Sequence, residues 1–330
     1  MVKDYTAGIE RGIVPCLRVR CVFSQRLNDN SLGFAQGAPP GGRRSGVEEW
    51  RAVSRVLQSP GRVARVVLDD LVTTFFPADC GACGGPLLRA GSSSICDGCL
   101  SGLREQSMRL CVRCGETLDV DGAWERSPAE GVLCAPCRMV PPEFARATAY
   151  AVYEDELRKI VHLLKYEGLR SVAKPLGKLL ARVVETLEGE AARELTVVAV
   201  PLYPAKQRRR GFNQSELLAD SATAELRRTR PEWRLVAAHR ALRRVRDTED
   251  QFGLTPPERR KNLRGAFEVV DAEAVAGREV LLLDDIYTTG ATARECARVL
   301  RRAGASRVWV ATVARAQREM VAMWNARDRT

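Results

Sequence analysis

The chain has 330 residues, of which 45% are hydrophobic, and its 52 lysines and arginines against 41 aspartates and glutamates give a formal net charge of +11. This length and apolar content predict a folded protein with one full-sized domain and smaller modules, and the basic excess favours phosphorylated or polyanionic ligands. No apolar run approaches the about 20 residues of a membrane helix, and the N-terminus lacks the pattern of a secretory signal, so we expect a cytoplasmic protein without membrane insertion.

Residues 1–62 show no sustained hydrophobic period and include the stretch SLGFAQGAPPGGRRSG, rich in glycine, proline and serine. This composition predicts a disordered extension, in which Cys16 and Cys21 are incidental thiols. A loose alternation of apolar and polar residues over 63–76 predicts a short amphipathic helix. This helix leads into a cysteine-rich region, so residues 63–140 are the second predicted segment.

Eight of the eleven cysteines form four CxxC pairs, a spacing typical of metal thiolates in a reducing compartment rather than of a disulfide framework. Four thiolates complete a closed tetrahedral Zn²⁺ site, so the pairs predict two structural zinc ions. The predicted ligands are Cys80, Cys83, Cys96, Cys99, Cys111, Cys114, Cys134 and Cys137.

The gaps within this region are 12 residues between the first two pairs and 19 residues between the last two, and both fit a zinc ribbon. In such a ribbon the pairs lie on knuckles of a small β-hairpin, for which Gly115 supplies a permissive turn. Spacing leaves open an interleaved arrangement, in which the first and third pairs share one ion. The region has few apolar residues, so the metal must supply its stability.

From residue 145 onward, helical patterns alternate with short apolar strands, which predicts an α/β domain over 145–320, followed by a tail over 321–330. In this fold class a parallel sheet is flanked by helices, and ligands bind at the carboxyl ends of the strands. His162 lies beside the apolar face of the first helix and is expected to be a surface or boundary residue rather than a catalytic one. The predicted elements are a helix with its apolar face at Leu157, Ile160, Val161 and Leu164, a helix over 172–188, a strand over 196–201, a helix after Asn213, and strands starting at Val280 and Arg307.

The sequence DDIYTTGAT follows four apolar residues, so we predict that the strand stops at Asp284 and that both carboxylates lie at the ligand edge. The small residues after Tyr287 precede a helix whose Thr292 and Glu295 have the spacing of a capping box. Backbone N–H groups at such a helix start bind phosphate, whereas carboxylates suit hydroxyl groups or a divalent cation. A sugar phosphate has both features. A nucleotide hydrolase is disfavoured because the chain has no GxxxxGK[ST] motif.

This strand, acidic pair and Thr/Gly-rich loop resemble the signature of type I phosphoribosyltransferases, which bind 5-phosphoribosyl 1-pyrophosphate (PRPP). The resemblance implies that the two acidic residues bind the ribose hydroxyls, that residues 288–292 hold the 5-phosphate, and that a hood, expected within 145–190, binds the acceptor. The PRPP-binding residues it implies are Asp284, Asp285, Tyr287, Thr288, Thr289, Gly290, Ala291 and Thr292.

Three further stretches resemble the ComF subgroup of this family: LLKYEG from Leu163, the region around RGFNQ within 200–219, and 246–267, together with the preceding zinc ribbons. The likeness spans about residues 65 to 315 and implies a PRPP-binding, Mg²⁺-dependent transferase-like protein that handles DNA taken up in natural transformation. It also implies that Arg210, Arg246 and Asp285 are catalytic, and that 246–264 is a flexible loop closing over PRPP.

An alternative is a non-catalytic DNA-processing adaptor that keeps the transferase fold as a scaffold and binds single-stranded DNA or partner proteins. Residues 206–264 contain 16 Lys and Arg against 8 Asp and Glu, which suits a polyanion. Aromatic stacking partners are sparse, with Phe212, Trp233 and Phe252 nearby in sequence. The acceptor and the oligomeric state, a homodimer among the options, are left open by the sequence.

Overall fold

The computed structural model describes residues 79–87, 94–106, 109–118, 131–248 and 255–317. The predicted extension over 1–62, the predicted helix over 63–76 and the tail over 321–330 lie outside these ranges. Within them, no helix combines the length and apolar character that crossing a membrane requires.

A five-stranded parallel sheet forms the centre of the larger domain, with strand order β1-β7-β6-β2-β3. Every neighbouring pair in this sheet is parallel. The predicted α/β class with a parallel sheet is therefore confirmed. The strands are β1 (Arg146–Val152), β2 (Glu194–Ala199), β3 (Arg234–Ala237), β6 (Glu279–Tyr287) and β7 (Arg307–Arg315).

Helices cover the sheet because consecutive strand residues point to opposite faces and both faces are apolar. Leu281 of β6 belongs to a core shared with the helices over 155–166, 173–185 and 214–229, whereas Leu282 belongs to a second core shared with the helix over 291–302. The predicted helix over 172–188 is a 3₁₀ turn (Arg170–Val172) continuing into α4. The helices are α1 (Asp97–Ser101), α2 (Ala135–Met139), α3 (Asp155–Tyr166), α4 (Ala173–Glu185), α5 (Pro204–Arg210), α6 (Gln214–Thr229), α7 (Pro256–Leu263) and α8 (Ala291–Arg302).

A separate antiparallel pair, β4 (Leu242–Arg244) and β5 (Phe267–Val269), lies outside the main sheet and brackets α7. Residues 145–190, where the hood was expected, form β1, α3 and α4 of the central layers. Within this range β1 is the edge strand of the sheet and pairs with β7, and the role of the remaining residues as a hood stays a prediction.

Candidate functional site

Each cysteine cluster brings four sulfur atoms within 4.8 Å of one another. The Sγ–Sγ distance is 3.9 Å between Cys80 and Cys99 in the first cluster and 3.6 Å between Cys114 and Cys134 in the second. Tetrahedral Zn²⁺ with Zn–S bonds of about 2.3 Å separates its sulfurs by about 3.8 Å, so both clusters fit a structural zinc ion. Consecutive pairs share a cluster, and the interleaved alternative is wrong.

The first pair of each cluster lies on a tight hairpin turn, as predicted for a ribbon. Gly84 and Gly115 take φ values of 71° and 68° in these turns, a conformation that favours glycine. The second pair instead begins a short helix, because Cys96 and Cys134 are the N-cap residues of α1 and α2. Helix N-termini favour negative charge, so this placement stabilises thiolates.

The two clusters differ in exposure. Cys83 is exposed and Cys96 is half-buried, whereas all four cysteines of the second cluster are buried. In the first cluster, burial alone would raise the pKa of Cys80, but backbone N–H groups of Cys96 and its own turn lower that pKa to about 6. A thiol held as thiolate near neutral pH is ready to bind metal.

The two adjacent aspartates lie within β6 rather than after it, since the strand continues to Tyr287. The prediction that the strand stops at Asp284 is wrong, because pairing with β7 continues through Tyr287 and Arg315. The two carboxylates have different partners, as expected for consecutive strand residues. Asp285 is buried and pairs with Lys165 of α3 at 2.8 Å, whereas Asp284 accepts a hydrogen bond from the hydroxyl of Ser215 at 2.8 Å.

The two aspartates also differ in their electrostatic surroundings. Burial, and next the charge of Asp285, raise the pKa of Asp284 to about 7. Burial would lower the pKa of Lys165, but its contact with Asp285 outweighs this and raises that pKa. Asp285 is therefore committed to an internal ion pair, and Asp284 is the carboxylate whose charge a ligand can still stabilise.

The loop after β6 leads into a helix whose backbone donors have no side-chain cap. Gly290 is the N-cap of α8 and supplies no side-chain cap, so the first N–H groups of the helix lack intrahelical partners. The hydroxyl of Thr289 is buried without a hydrogen-bond partner among the described residues. The predicted capping box is wrong, because the Glu295 carboxylate accepts the N–H of Gly265 at 2.7 Å and pairs with Arg298.

Gly290 is the residue that sets the shape of this loop. Its φ is 73°, and a Cβ atom there would lie 2.0 Å from the hydroxyl of Tyr287. The Tyr287 ring is buried beside Phe144 and Arg315, and burial raises its pKa. Tyr287 was implied as a PRPP-binding residue, but its side chain is buried and packs against Gly290 of the loop.

The RGFNQ motif lies between the end of β2 and α6, the helix whose Ser215 contacts Asp284. Asn213 caps α6 and donates to the carbonyl of Val200 at 3.1 Å, which fixes the helix start beside the strand end. Arg210 donates to Gln214 and lies 5.7 Å from the ring centroid of Tyr166. The motif thus brings Arg210 next to the segment that carries Lys165.

Arg246 is held by the backbone at the end of α7. Its guanidinium donates to the carbonyls of Asn262 at 2.6 Å and Arg264 at 2.9 Å, at the end of α7. Among the described residues, no hydrogen bond joins it to the loop or to either aspartate. Of the implied flexible segment 246–264, residues 249–254 lie outside the described chain.

Sequence reasoning missed Lys165, Ser215 and Arg244 as site residues. Lys165 lies four residues after Val161, on the apolar face of α3. A charged residue on an apolar face is a sequence feature that could have indicated a buried ion pair. Arg244 is buried, and burial lowers its pKa, whereas the charge of Asp284 acts in the opposite direction, which connects Arg244 to the aspartates. Its Nε has no hydrogen-bond partner in the described region, although another guanidinium nitrogen donates to Thr248.

Comparison with known proteins gives four findings. A family model described as a double zinc ribbon domain matches residues 71–138. The chain is 32% identical over 238 residues to DNA utilization protein YhgH of Escherichia coli O157:H7, covering 71% of this chain and 95% of that protein. It is 28% identical over 245 residues to competence protein F of Haemophilus influenzae, covering 73% and 99%. The structure of the allosteric regulatory enzyme of purine biosynthesis is similar at 24% identity and a TM-score of 0.27, covering 43% of this chain and 25% of that one.

Proposed function

Because this chain belongs to the ComF family of competence and DNA utilization proteins, we propose that it is a PRPP-binding, Mg²⁺-dependent phosphoribosyltransferase-like protein acting in DNA uptake. The observation that carries the proposal is the loop after β6. Gly290 provides no side-chain cap for the N-terminal donors of α8, and Asp284 lies four residues before Thr288, the first threonine of the loop. Backbone N–H groups that can bind a phosphate and a carboxylate that can bind a sugar therefore both lie at the end of β6.

The 5-phosphate would accept hydrogen bonds from the backbone N–H groups at the start of α8, where the helix dipole favours negative charge. The buried hydroxyl of Thr289 is one further donor. No side chain of Gly290 obstructs the approach, and none fits there. The loop is therefore suited to an anion of phosphate size.

Asp284 would accept hydrogen bonds from the ribose hydroxyls and contribute to holding Mg²⁺. When bound, Mg²⁺ neutralises the charge that develops on departing pyrophosphate. Ser215 orients the Asp284 carboxylate, and Lys165 balances the neighbouring Asp285. Arg210 is the proposed cation at this edge for the pyrophosphate, because Gln214 holds it beside the start of α6.

Asp284→Asn is expected to weaken PRPP binding by more than tenfold, since hydrogen bonds to a charged group contribute about 1.5–3 kcal/mol. Isothermal titration with PRPP and Mg²⁺ measures this. Asp220→Asn is the matched control, because Asp220 is an exposed carboxylate on α6 paired with His239. Absence of PRPP binding by the parent protein, or undiminished binding by both Asp284→Asn and Asp285→Asn, would refute the proposal.

The same substitution is expected to stabilise the ligand-free protein at pH 8 by about 1–3 kcal/mol. The folded pKa of Asp284 is raised from 3.8 to about 7, so the stability associated with its protonated form is present below pH 4 and lost as the pH rises through 7. Asparagine cannot ionise and avoids that loss. Urea unfolding at pH 8 and pH 5 should show the gain shrinking at the lower pH, and a gain independent of pH would contradict the assignment.

A second candidate function, binding of single-stranded DNA, is favoured by one surface. Tyr166 is 69% exposed, its ring centroid is 4.9 Å from that of His162, and Arg210 lies over it. An exposed ring beside a guanidinium is a stacking platform for bases. Tyr166→Ala should then reduce single-strand affinity several-fold in a salt-dependent binding assay; affinity unchanged by this variant would contradict the candidate.

A further inference from the structure

Arg315 connects the second cysteine cluster to the main sheet. It ends β7, is 2% exposed, and donates to the carbonyl oxygen of Cys114. Its Nη2 lies 3.6 Å from the Cys114 sulfur and 2.5 Å from the carboxylate of Glu116. A planar guanidinium with several fixed donors holds such partners in one geometry. Arg315 therefore ties the knuckle of the second ribbon to the carboxyl edge of the sheet.

The other face of Arg315 contacts Tyr287, which precedes residues 288–292, the proposed phosphate loop. Its guanidinium carbon is 4.4 Å from the centroid of the Tyr287 ring. The ring of Phe144 packs against the same ring in a T-shaped arrangement with a centroid distance of 6.3 Å. The Tyr287 hydroxyl reaches the space under Gly290, where a Cβ atom would lie 2.0 Å away. A continuous series of contacts thus runs from the Cys114 sulfur to the residue that leaves α8 uncapped.

Arg294 forms an independent connection on the same side. It lies in the first turn of α8, and its Nη2 is 3.8 Å from the Cys137 sulfur. Its Nη1 donates to the carbonyl of Val140 at 2.6 Å. Two arginines therefore join the second cluster to the phosphate loop and to the helix after it.

The first cluster has a different neighbour. A Cβ atom on Gly81 would lie 2.8 Å from Leu163 of α3, and the hydroxyls of Ser94 and Ser171 are 2.7 Å apart. Within the described ranges, no hydrogen bond joins the first cluster to residues 287–294. The two ribbons repeat one motif, but they support different parts of the domain.

We infer that the ion of the second cluster, through Arg315 and Tyr287, holds the phosphate loop in its anion-binding conformation, so that metal binding there and PRPP binding are thermodynamically coupled. Arg315 is in this sense a positioning residue, since it acts on PRPP through Tyr287. The inference rests on the proposed function. Coupling is reciprocal, so PRPP should in turn retain the second ion and leave the first unaffected.

The experiment measures zinc release from the full chain to a chromogenic zinc chelator, with and without saturating PRPP and Mg²⁺. Cys83→Ser removes one exposed ligand of the first cluster and leaves the second intact, which identifies the kinetic phase of the second ion. We expect PRPP to slow this phase at least fivefold in both the parent protein and Cys83→Ser. The other phase, zinc release from the first cluster of the parent protein, should have the same rate with and without PRPP.

The matched variant combines Arg315→Met with Glu116→Gln, so that no buried charge is left unpaired. It should retain two zinc ions by elemental analysis, bind PRPP at least fivefold more weakly, and lose the effect of PRPP on zinc release. A role of Arg315 in folding alone would lower the thermal midpoint without removing that effect.

Two results are separable. A parent protein that binds no PRPP refutes the proposed function and this coupling with it. A parent protein that binds PRPP but releases its second ion at the same rate with and without PRPP refutes the coupling alone, as does a double variant that binds PRPP with parental affinity.

Discussion

Replacing Cys114 by serine is expected to reduce the bound zinc from two ions per chain to one and to unfold the second ribbon. In the described residues between 109 and 140, the buried side chains are the four cysteines of the second cluster and Glu116. These described residues form no apolar core of their own, so the metal takes that role, with an apparent binding free energy of about 10–16 kcal/mol. Elemental analysis for zinc and hydrogen exchange of this region measure the result.

Cys296→Ala is the matched control for this substitution. Cys296 is a buried cysteine of α8 outside both clusters, so its replacement should leave two zinc ions and a protected ribbon. The sheet should remain folded in Cys114→Ser, because its two apolar cores consist mainly of other residues. A Cys114→Ser protein that keeps two tightly bound ions and native exchange protection would contradict the structural role of the metal.

Lys165→Met is expected to destabilise the fold by about 3–5 kcal/mol, because it leaves the buried carboxylate of Asp285 without its partner. Asp285 is 3% exposed and its Oδ2 is 2.8 Å from the Lys165 ammonium. Combining Lys165→Met with Asp285→Asn removes both charges and should recover most of the loss. Urea unfolding of the two single variants and the double variant forms a double-mutant cycle that measures the coupling.

Lys159→Met is the control, since Lys159 is an exposed lysine on the same helix and its replacement should change stability by less than about 0.5 kcal/mol. If the effects of Lys165→Met and Asp285→Asn simply add, the ion pair does not stabilise the fold. The implied catalytic role of Asp285 remains a prediction. Because Asp285 forms an ion pair with Lys165, we expect it to maintain the conformation of the strand end rather than to contact a substrate.

Helix ends show where local patterns succeed and where they fail. Thr292 and Glu295 have capping-box spacing but do not form one, because the backbone of Gly265 and the side chain of Arg298 compete for the Glu295 carboxylate. A capping box does form at Thr255 and Glu258, at the start of α7. Both pairs satisfy the same sequence rule, and tertiary partners decide between them.

Local chemistry and periodicity determined much of this protein. Cysteines two residues apart predict metal ligands because a CxxC turn presents two sulfurs to one ion. The apolar stripe of α3 and the run before Asp284 predict a helix and a buried strand because side-chain periods of 3.6 and 2 decide which residues face a core. The alternation of these elements then predicts the parallel α/β sheet, and all of these patterns are short in sequence.

Only the tertiary structure decided which distant residues meet. It paired consecutive rather than interleaved cysteines, joined Asp285 to Lys165 across 120 positions of chain, and placed Ser215 on Asp284. It also placed Tyr287 and Arg315 between the second ribbon and the phosphate loop. Such contacts depend on how helices and ribbons pack on the sheet, and a buried charge is tolerated only where packing brings it a partner. The spacing of residues along the chain does not contain that information.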